Sequence, residues 1–228
     1  MRYTYLLLNF FTIIIPVSCS FEHKLHFYHK WKYYLPGMFF TAFLFIVWDY
    51  FKTKHGVWSF NDDYIIGIRF FGLPVEEFLF FITVPYACTF IYETVSYFFR
   101  RRIFPDSSRY VLWALSIAAF VGSFFVLHKA YTFSVLLIIS FVLPLATVVL
   151  QKNKLDSFIQ MYIISLIPMA IVNGFLTALP VVIYNNDQNL GVRVGTIPIE
   201  DFIYCAILLL MNVSLYEWSR QRALRNPN

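Results

Sequence analysis

The sequence predicts an all-α fold: a polytopic membrane helical bundle of about seven transmembrane helices, built as two tandem three-helix repeats plus a connecting helix. One observation is composition, since 59% of the 228 residues are hydrophobic, only 14% are charged, and the mean hydropathy is +0.63. An ordinary soluble domain is about 45 to 50% apolar. The second observation is length, which allows about seven helices of roughly twenty residues and little else. The third is an internal repeat.

The repeat is carried by a motif of one proline and two acids. Residues 73–78 read Leu-Pro-Val-Glu-Glu-Phe, and residues 197–202, which lie 124 positions later, read Ile-Pro-Ile-Glu-Asp-Phe. The same spacing aligns identical residues outside the motif: Asn61 and Asn185, Gly67 and Gly191, Arg69 and Arg193, Tyr92 and Tyr216, Glu93 and Glu217. Chance does not produce such a register, so the chain is a tandem duplication.

The first repeat, residues 1–109, contains three predicted spans, at about 3–21, 35–51 and 74–99. The first span follows Arg2 and could be read as a cleaved signal peptide, but the second repeat has a matching span, so we expect it to be retained. Proline at position 74 suits the first turn of a helix. Segment 52–73 is too polar to span and too aromatic for a plain linker. We expect it to fold against the bundle or to be re-entrant.

The connecting helix, residues 110–130, has no counterpart in the repeat. The second repeat, residues 131–228, contains predicted spans at about 131–150, 157–179 and 199–219. Three spans, one connector and three further spans give both repeats the same direction through the bilayer. A pseudo-twofold axis along the membrane normal should therefore relate them.

The distribution of basic residues predicts the orientation of a multi-pass protein in the cell membrane. Twelve lysines and arginines fall in the loops of one side, and six fall on the other side. The richer side should be cytoplasmic, which places the N-terminus outside and the C-terminus in the cytoplasm, with both motifs near the outer leaflet. The net charge of +5 has the same origin, so we predict no nucleic-acid partner.

The repeated acids Glu76, Glu77, Glu200 and Asp201 are the leading catalytic candidates. In a purely structural interpretation, each motif starts a helix. The carboxylates then stabilise that helix by about 0.3 to 1 kcal/mol through their interaction with its dipole. Their duplication, and the arginine five residues before each proline, favour a function instead. Carboxylates near the apolar region are costly, and adjacent acids disfavour double ionisation, so each pair could hold a proton at neutral pH.

A protonated carboxylic acid in a dry, aromatic cavity is what proton-initiated alkene chemistry requires, because π faces stabilise the resulting cation. Trp58, Phe60 and Tyr204 are the aromatic candidates for substrate contact because they lie beside the motifs. No glycine-rich nucleotide motif is present and the three cysteines lack metal spacing. We therefore expect no cofactor, no metal and no redox chemistry.

Further polar candidates follow from the alignment of the repeats. Asp49, at the end of the second span, aligns with Asn173, so one half could supply the acid while the other half orients the substrate. Asn212 lies eleven residues after Asp201 and thus on the same helix face, where it could join the second half-site. The aligned pair Asn61 and Asn185 are further candidates for orienting substrate.

These residues resemble a known family, the carotenoid cyclases of the heterodimeric or fused two-domain lycopene cyclase type. The resemblance rests on three features: the duplicated Pro-x-Glu-Glu/Asp motif, residues 57–61 with 67–69, and the loop 27–32. It covers nearly the whole chain. It implies a membrane isomerase, an intramolecular lyase of carotenoid biosynthesis that converts the linear ends of lycopene into β-ionone rings, giving γ- and β-carotene.

The resemblance also implies roles for the repeated residues. Glu76 and Glu200 are the leading acid and base, Glu77 and Asp201 assist them, and Arg69 and Arg193 hold the carboxylate geometry. The second repeat departs from the pattern, because Val182 replaces tryptophan and Asn173 replaces aspartate. That departure favours one composite site over two independent ones.

Two alternatives remain open at this point. A small-solute transporter can have the same parallel three-helix repeats, but the acids here sit toward helix ends. A polyprenyl transferase could use paired acids to hold Mg²⁺ against a diphosphate, yet the aspartate clusters it needs are absent. The expected partners are lycopene and membrane lipids, and we leave open a homo-oligomer or contact with other carotenoid enzymes.

Overall fold

The structure, a computed structural model, describes residues 1–99, 103–105 and 107–225. This part of the chain folds into seven α-helices, which confirms the predicted all-α bundle. They are α1 (Thr4–Cys19), α2 (Trp31–Lys54), α3 (Val75–Phe98), α4 (Ser108–Ser123), α5 (Ala130–Val149), α6 (Lys152–Ala178) and α7 (Ile199–Arg225). All except α1, which is shorter, belong to the six helical segments that are long and apolar enough to cross a membrane.

Within the repeats, three helix ends differ from the prediction by four or more residues, and one of them is the start of α6, at Lys152 rather than near residue 157. Helix α2 starts at Trp31 rather than near residue 35, so Pro36 lies inside the helix and does not open it. Helix α7 continues through the basic tail to Arg225. The last turn of α7 contains Arg222 and Arg225, whose charges complement the negative end of the helix dipole.

The connecting segment contains α4, which starts slightly before the predicted residue 110. A short 3₁₀ turn, Phe124–Val126, then leads to α5. The boundaries of the two repeats remain predictions.

The helices pack in reciprocal pairs. Within the repeats, α1 packs on α3 and α5 packs on α7, while between the repeats α2 packs on α7 and α6 packs on α3. Helices α1, α2 and α3 correspond to α5, α6 and α7. When each helix is exchanged for its counterpart, the contact of α1 with α3 becomes that of α5 with α7, and the contact of α2 with α7 becomes that of α6 with α3, as a twofold axis requires.

Two loop regions, 55–74 and 179–198, fold against the same end of the bundle. They form six short strands: β1 (Trp58–Phe60), β2 (Arg69–Phe70), β3 (Leu73–Pro74), β4 (Val182–Tyr184), β5 (Arg193–Val194) and β6 (Ile197–Pro198). Strands β2 and β3 pair within the first repeat and β5 and β6 within the second, whereas β1 pairs antiparallel with β4 across the two.

The pairing of β1 with β4 is also reciprocal. The backbone N–H of Asn61 donates to the Val181 carbonyl at 3.0 Å, and the backbone N–H of Asn185 donates to the Val57 carbonyl at 2.9 Å. Side chains from these loops, including Val57, Ile65 and Leu73, are buried. The segment after α2 therefore folds against the bundle, which is one of the two arrangements expected for it.

The opposite end of the bundle is closed by a polar network between α3 and α7. The Tyr92 hydroxyl donates to Glu217 at 2.9 Å, and the Tyr216 hydroxyl donates to Glu93 at 2.8 Å. Lys30 pairs with Glu93, and Lys154 pairs with Glu217 at 3.0 Å. Arg220 lies 3.5 Å from Glu93 and 3.7 Å from Glu217, and so contacts both carboxylates.

Candidate active site

The second acid of each motif lines a small chamber under the strand loops. Glu77 from α3, Asp201 from α7 and Asp49 from α2 share this chamber, whose volume is about 50 Å³. Its other walls include four tyrosines, Trp58, Phe60, Phe80 and Asn173. The structure thus brings residues of both repeats to one place, as a composite site requires.

Helix geometry separates the two acids of each motif. Both motifs form the first turn of a helix, where consecutive side chains point about 100° apart. When Glu77 and Asp201 face the chamber, Glu76 and Glu200 must face elsewhere. Neither Glu76 nor Glu200 is among the side chains that line the chamber.

Glu76 and Glu200 instead fasten the preceding loops. Oε1 of Glu76 accepts the Ile66 amide at 2.7 Å, and Oε1 of Glu200 accepts the Leu190 amide at 2.8 Å. Glu200 also accepts the Thr132 hydroxyl at 2.6 Å. Both carboxyl groups are buried, so these bonds fix each loop to the start of the helix that follows it.

Tyrosine hydroxyls hold the two acids that face the chamber. Tyr5 on α1 donates to Oε2 of Glu77 at 2.5 Å. Asp201 accepts two such bonds, from Tyr131 at 2.6 Å and from Tyr184 at 3.0 Å. Hydrogen bonds to an ionised acceptor are among the stronger ones, so these donors favour the carboxylate forms of both acids.

Asp49 has a different environment. The indole N–H of Trp58 donates to its Oδ1 at 2.7 Å, while Oδ2 has no hydrogen-bond partner among the described residues. The side chain is nevertheless buried. A buried carboxylate oxygen without a partner is costly, so this oxygen is suited to carry a proton. Oε2 of Glu76 and Oε2 of Glu200 also lack a partner among the described residues, but neither side chain lines the chamber.

Tyr184 lies in β4, outside the membrane-spanning helices. Burial, together with the neighbouring Asp201 carboxylate, raises the pKa of Tyr184 well above its ordinary value. The phenol therefore stays protonated and remains a hydrogen-bond donor to Asp201.

Aromatic rings surround the three acids. The ring of Trp58 lies 5.1 Å from that of Tyr131 and 5.9 Å from that of Tyr184, both edge-on. Tyr204 completes the group, with its ring centroid 6.4 Å from that of Trp58. The faces of such rings can stabilise a positive charge in the chamber.

A larger, apolar cavity of about 430 Å³ adjoins the chamber. It lies between α1, α3, α6 and α7, and it shares four lining residues with the chamber: Phe80, Asn173, Asp201 and Tyr204. Its lining on α3 extends from Phe80 to Ile91, which corresponds to about 16 Å along the helix axis. The cavity is thus an elongated apolar space with an acidic end.

The two repeated arginines lie in the strand loops. Arg69 donates to the carbonyl of Gly72 at 2.8 Å and to the carboxylate of Asp62 at 2.7 Å. Arg193 donates at the equivalent places, to Thr196 at 2.7 Å and to Asn186 at 2.8 Å. Both guanidinium groups thus stabilise the loops, and the hydrogen bonds to the motif acids come from other donors.

Of the four predicted asparagines, Asn173 lines the chamber, whereas Asn61, Asn185 and Asn212 do not. Asn61 and Asn185 accept the amides two residues ahead of them, at 3.0 and 2.9 Å, and so stabilise turns. Asn212 is buried and donates to the Leu208 carbonyl at 2.9 Å. Eleven residues correspond to about 16 Å along α7, so a shared helix face does not bring Asn212 near Asp201.

Sequence reasoning missed Tyr5, Tyr131 and Tyr184. Tyr5 and Tyr131 make equivalent bonds to equivalent acids, but they are 126 positions apart, and the gapless register of 124 pairs Tyr5 with Lys129. A comparison that allowed a two-residue gap would have matched them. Tyr184 aligns with Phe60, so a search for identical residues could not detect it.

Comparisons with known proteins agree on one family. A family model described as lycopene cyclase matches residues 2–95 and 128–219. A bifunctional lycopene cyclase/phytoene synthase of Podospora anserina is 28% identical over 97 residues, 42% of this chain and 15% of that protein. A protein of the same description from Neurospora crassa is 37% identical over 59 residues, 23% of this chain and 10% of its own length.

The matched part of the chain therefore spans less than a fifth of either curated relative. No solved structure matches the chain.

Proposed function

Because the chain belongs to the lycopene cyclase family, we propose that it is a lycopene β-cyclase, an intramolecular lyase that closes the linear ends of lycopene into β-ionone rings without redox change. The composition of the chamber carries this proposal. Three carboxyl side chains line it and, among the described lining residues, none is basic. Uncompensated negative charges in a buried site are costly, so such a chamber is suited to hold protons and to face a cation.

Asp49 is the proposed proton donor. Its Oδ2 carries the hydrogen into the chamber, where it passes to the terminal carbon–carbon double bond and forms a new C–H bond. The other carbon of that double bond becomes a tertiary cation. The Trp58 N–H, at 2.7 Å from Oδ1, then stabilises the carboxylate that remains on Asp49.

Ring closure needs no further protein group to react. The neighbouring double bond attacks the cation, which forms the carbon–carbon bond of the ring and moves the positive charge to a ring carbon. The rings of Trp58 and Tyr204 and the carboxylate of Asp201, held by Tyr131 and Tyr184, stabilise that charge.

Glu77 is the proposed base. It removes a proton beside the ring cation, and the electron pair of that C–H bond forms the ring double bond. One proton enters the substrate and one leaves it, so the product is an isomer of the substrate. The proton taken up by Glu77 must be exchanged, and Asp49 reprotonated, before the next turnover.

The orientation in the membrane belongs to this proposal as well. The strand loops and the chamber lie at one end of the bundle, and the network of Lys30, Lys154 and Arg220 lies at the other. We place the network end in the cytoplasm because its loops carry twelve of the eighteen basic residues.

Cyclisation in heavy water tests the proposed chemistry. Membranes containing the protein are equilibrated in D₂O, supplied with lycopene, and the carotenoids are analysed by mass spectrometry. We expect one deuterium for each ring formed, because the carboxyl hydrogens exchange with solvent between turnovers. Parallel reactions in H₂O and with Asp49→Asn membranes are the controls.

Two results of this experiment would count against the proposal. Cyclic product without deuterium would exclude an exchangeable acid as the initiator. Unreacted lycopene with well-inserted wild-type protein would exclude the cyclase function itself.

A further inference from the structure

The apolar cavity opens on the outer surface of the bundle between α1 and α6. Phe11 and Ile15 on α1, and Ile171 and Phe175 on α6, line the cavity, and each of them is more than half exposed. A side chain can line the cavity and also be exposed on the outer surface only where the cavity opens to that surface. Since both helices are apolar over most of their length, this opening faces lipid.

The pseudo-twofold axis defines an equivalent place in the first repeat, beside α2. There the rings of Phe45 and Trp48 lie 5.3 Å apart, and Tyr204 lies 5.0 Å from Phe45 and 4.9 Å from Trp48. This three-ring cluster fills the space between α2 and α7 next to the chamber.

Smaller side chains occupy the equivalent positions in the second repeat. Met169 aligns with Phe45, and Val172 aligns with Trp48. Both Met169 and Val172 line the open cavity. Two large-to-small differences thus distinguish the open cleft from the place that the rings fill.

We propose that the cleft between α1 and α6 is the path by which one end of a linear carotenoid enters sideways from the bilayer. Met169 and Val172, which are smaller than the aligned Phe45 and Trp48, keep this path open. The inference rests on the proposed cyclase function and adds the route and the residues that set it. The cavity ends at the acids and is lined on α3 over about 16 Å, roughly half of a 30 Å hydrocarbon core. An extended carotenoid is longer, so its other end stays in the bilayer.

A substitution that copies the first repeat tests this path. Val172→Trp places at the open cleft the residue that stands at the equivalent position 48. Expressed in cells that accumulate lycopene, this variant should reduce cyclic product at least tenfold while the acids of the chamber remain unchanged. Ile167→Trp is the matched control, because Ile167 lies on α6, is exposed and does not line the cavity. It should behave like the wild type.

A second variant guards against misfolding as the cause. Thr12→Trp obstructs the same cavity from the α1 wall and should have the same effect, with amounts in the membrane and unfolding temperatures measured for every variant. Wild-type activity in a folded Val172→Trp or Thr12→Trp protein would overturn the entry path. An inactive wild type would instead refute the cyclase function, so the two failures are distinguishable. If Ile167→Trp lost as much activity as Val172→Trp, the loss would reflect bulk on α6, and this too would overturn the entry path.

Discussion

At the scale of single residues, each acidic pair divides into one acid that fastens a loop and one that faces the chamber. The division follows from helix geometry, because consecutive side chains at the start of α3 and α7 point in different directions. Glu76 and Glu200 each accept the backbone amide of a loop residue. Glu77 and Asp201 receive tyrosine hydroxyls at the chamber. In both copies of the motif, the first acid thus contacts the loop and the second acid lines the chamber.

Asp49 gives the first prediction at this scale. Asp49→Asn should keep the hydrogen bond from Trp58, because an amide oxygen also accepts, but it removes the acidic proton. Cyclase activity should fall by about 100-fold or more, the usual contribution of a general acid. Asp63→Asn, which alters an exposed acid in the adjacent loop, should retain activity. Carotenoid analysis of membranes with matched protein amounts measures both, and an active Asp49→Asn protein would remove Asp49 from the mechanism.

The sequence predicted many of the residues that line the chamber, and the roles it assigned to them remain predictions. It identified Asp49, Glu77, Asp201, Trp58, Phe60, Asn173 and Tyr204, all of which line the chamber. It gave the leading roles to Glu76 and Glu200, because a motif shows which residues recur and not which way each one points. The direction depends on the exact residue at which the helix starts, and that residue is fixed by the loop that precedes it.

At the scale of secondary-structure elements, the two ends of α3 and α7 serve different purposes. Their first turns carry the acids, and their far ends carry the network in which Tyr92 and Tyr216 each bond to the glutamate of the other helix. All four of these side chains are buried. Because each bond crosses between the repeats, the network fastens α3 to α7 at the end away from the chamber.

Removal of one hydroxyl from this network should affect stability rather than chemistry. Tyr92→Phe or Tyr216→Phe leaves a buried carboxylate with one donor fewer, at a cost of about 1.5 to 3 kcal/mol. We expect a lower unfolding temperature in detergent and unchanged carotenoid products. Because both tyrosines share one network, the double variant should not show the sum of the single effects. A changed product pattern in a stable single variant would show that the network reaches the chamber.

The strand loops are the elements that sequence reasoning could not derive. Their polar and aromatic mixture correctly indicated a segment folded against the bundle, but the pairing of β1 with β4 joins parts of the chain that are more than a hundred residues apart. Such pairing depends on how the two repeats meet. The glycines did carry a local signal: Gly67 and Gly191 have φ values of 91° and 72°, which explains why glycine recurs at this position.

At the scale of the whole molecule, two similar repeats build one asymmetric site. The fold class, the duplication and the order of the helices follow from composition and spacing, since these depend on hydrophobic length and on the repeat alone. The asymmetry does not follow from them, because it depends on which side chains meet across the axis. The repeats differ at two aligned pairs of positions, Asp49 with Asn173 and Trp48 with Val172. The effect of these differences can be interpreted only when the structure shows that both halves surround the same space.

The central claim is that the second acids of both motifs act together in one chamber. The most direct measurement is carotenoid analysis of lycopene-accumulating cells that express Glu77→Gln and Asp201→Asn, each beside the matched variant of its neighbour, Glu76→Gln or Glu200→Gln. The neighbours' variants keep an oxygen that can accept the Ile66 or Leu190 amide, so we predict substantial activity for them. We predict loss of nearly all cyclic product for Glu77→Gln and for Asp201→Asn, each on its own. The opposite pattern, with Glu76→Gln or Glu200→Gln inactive and the chamber variants active, would contradict the account.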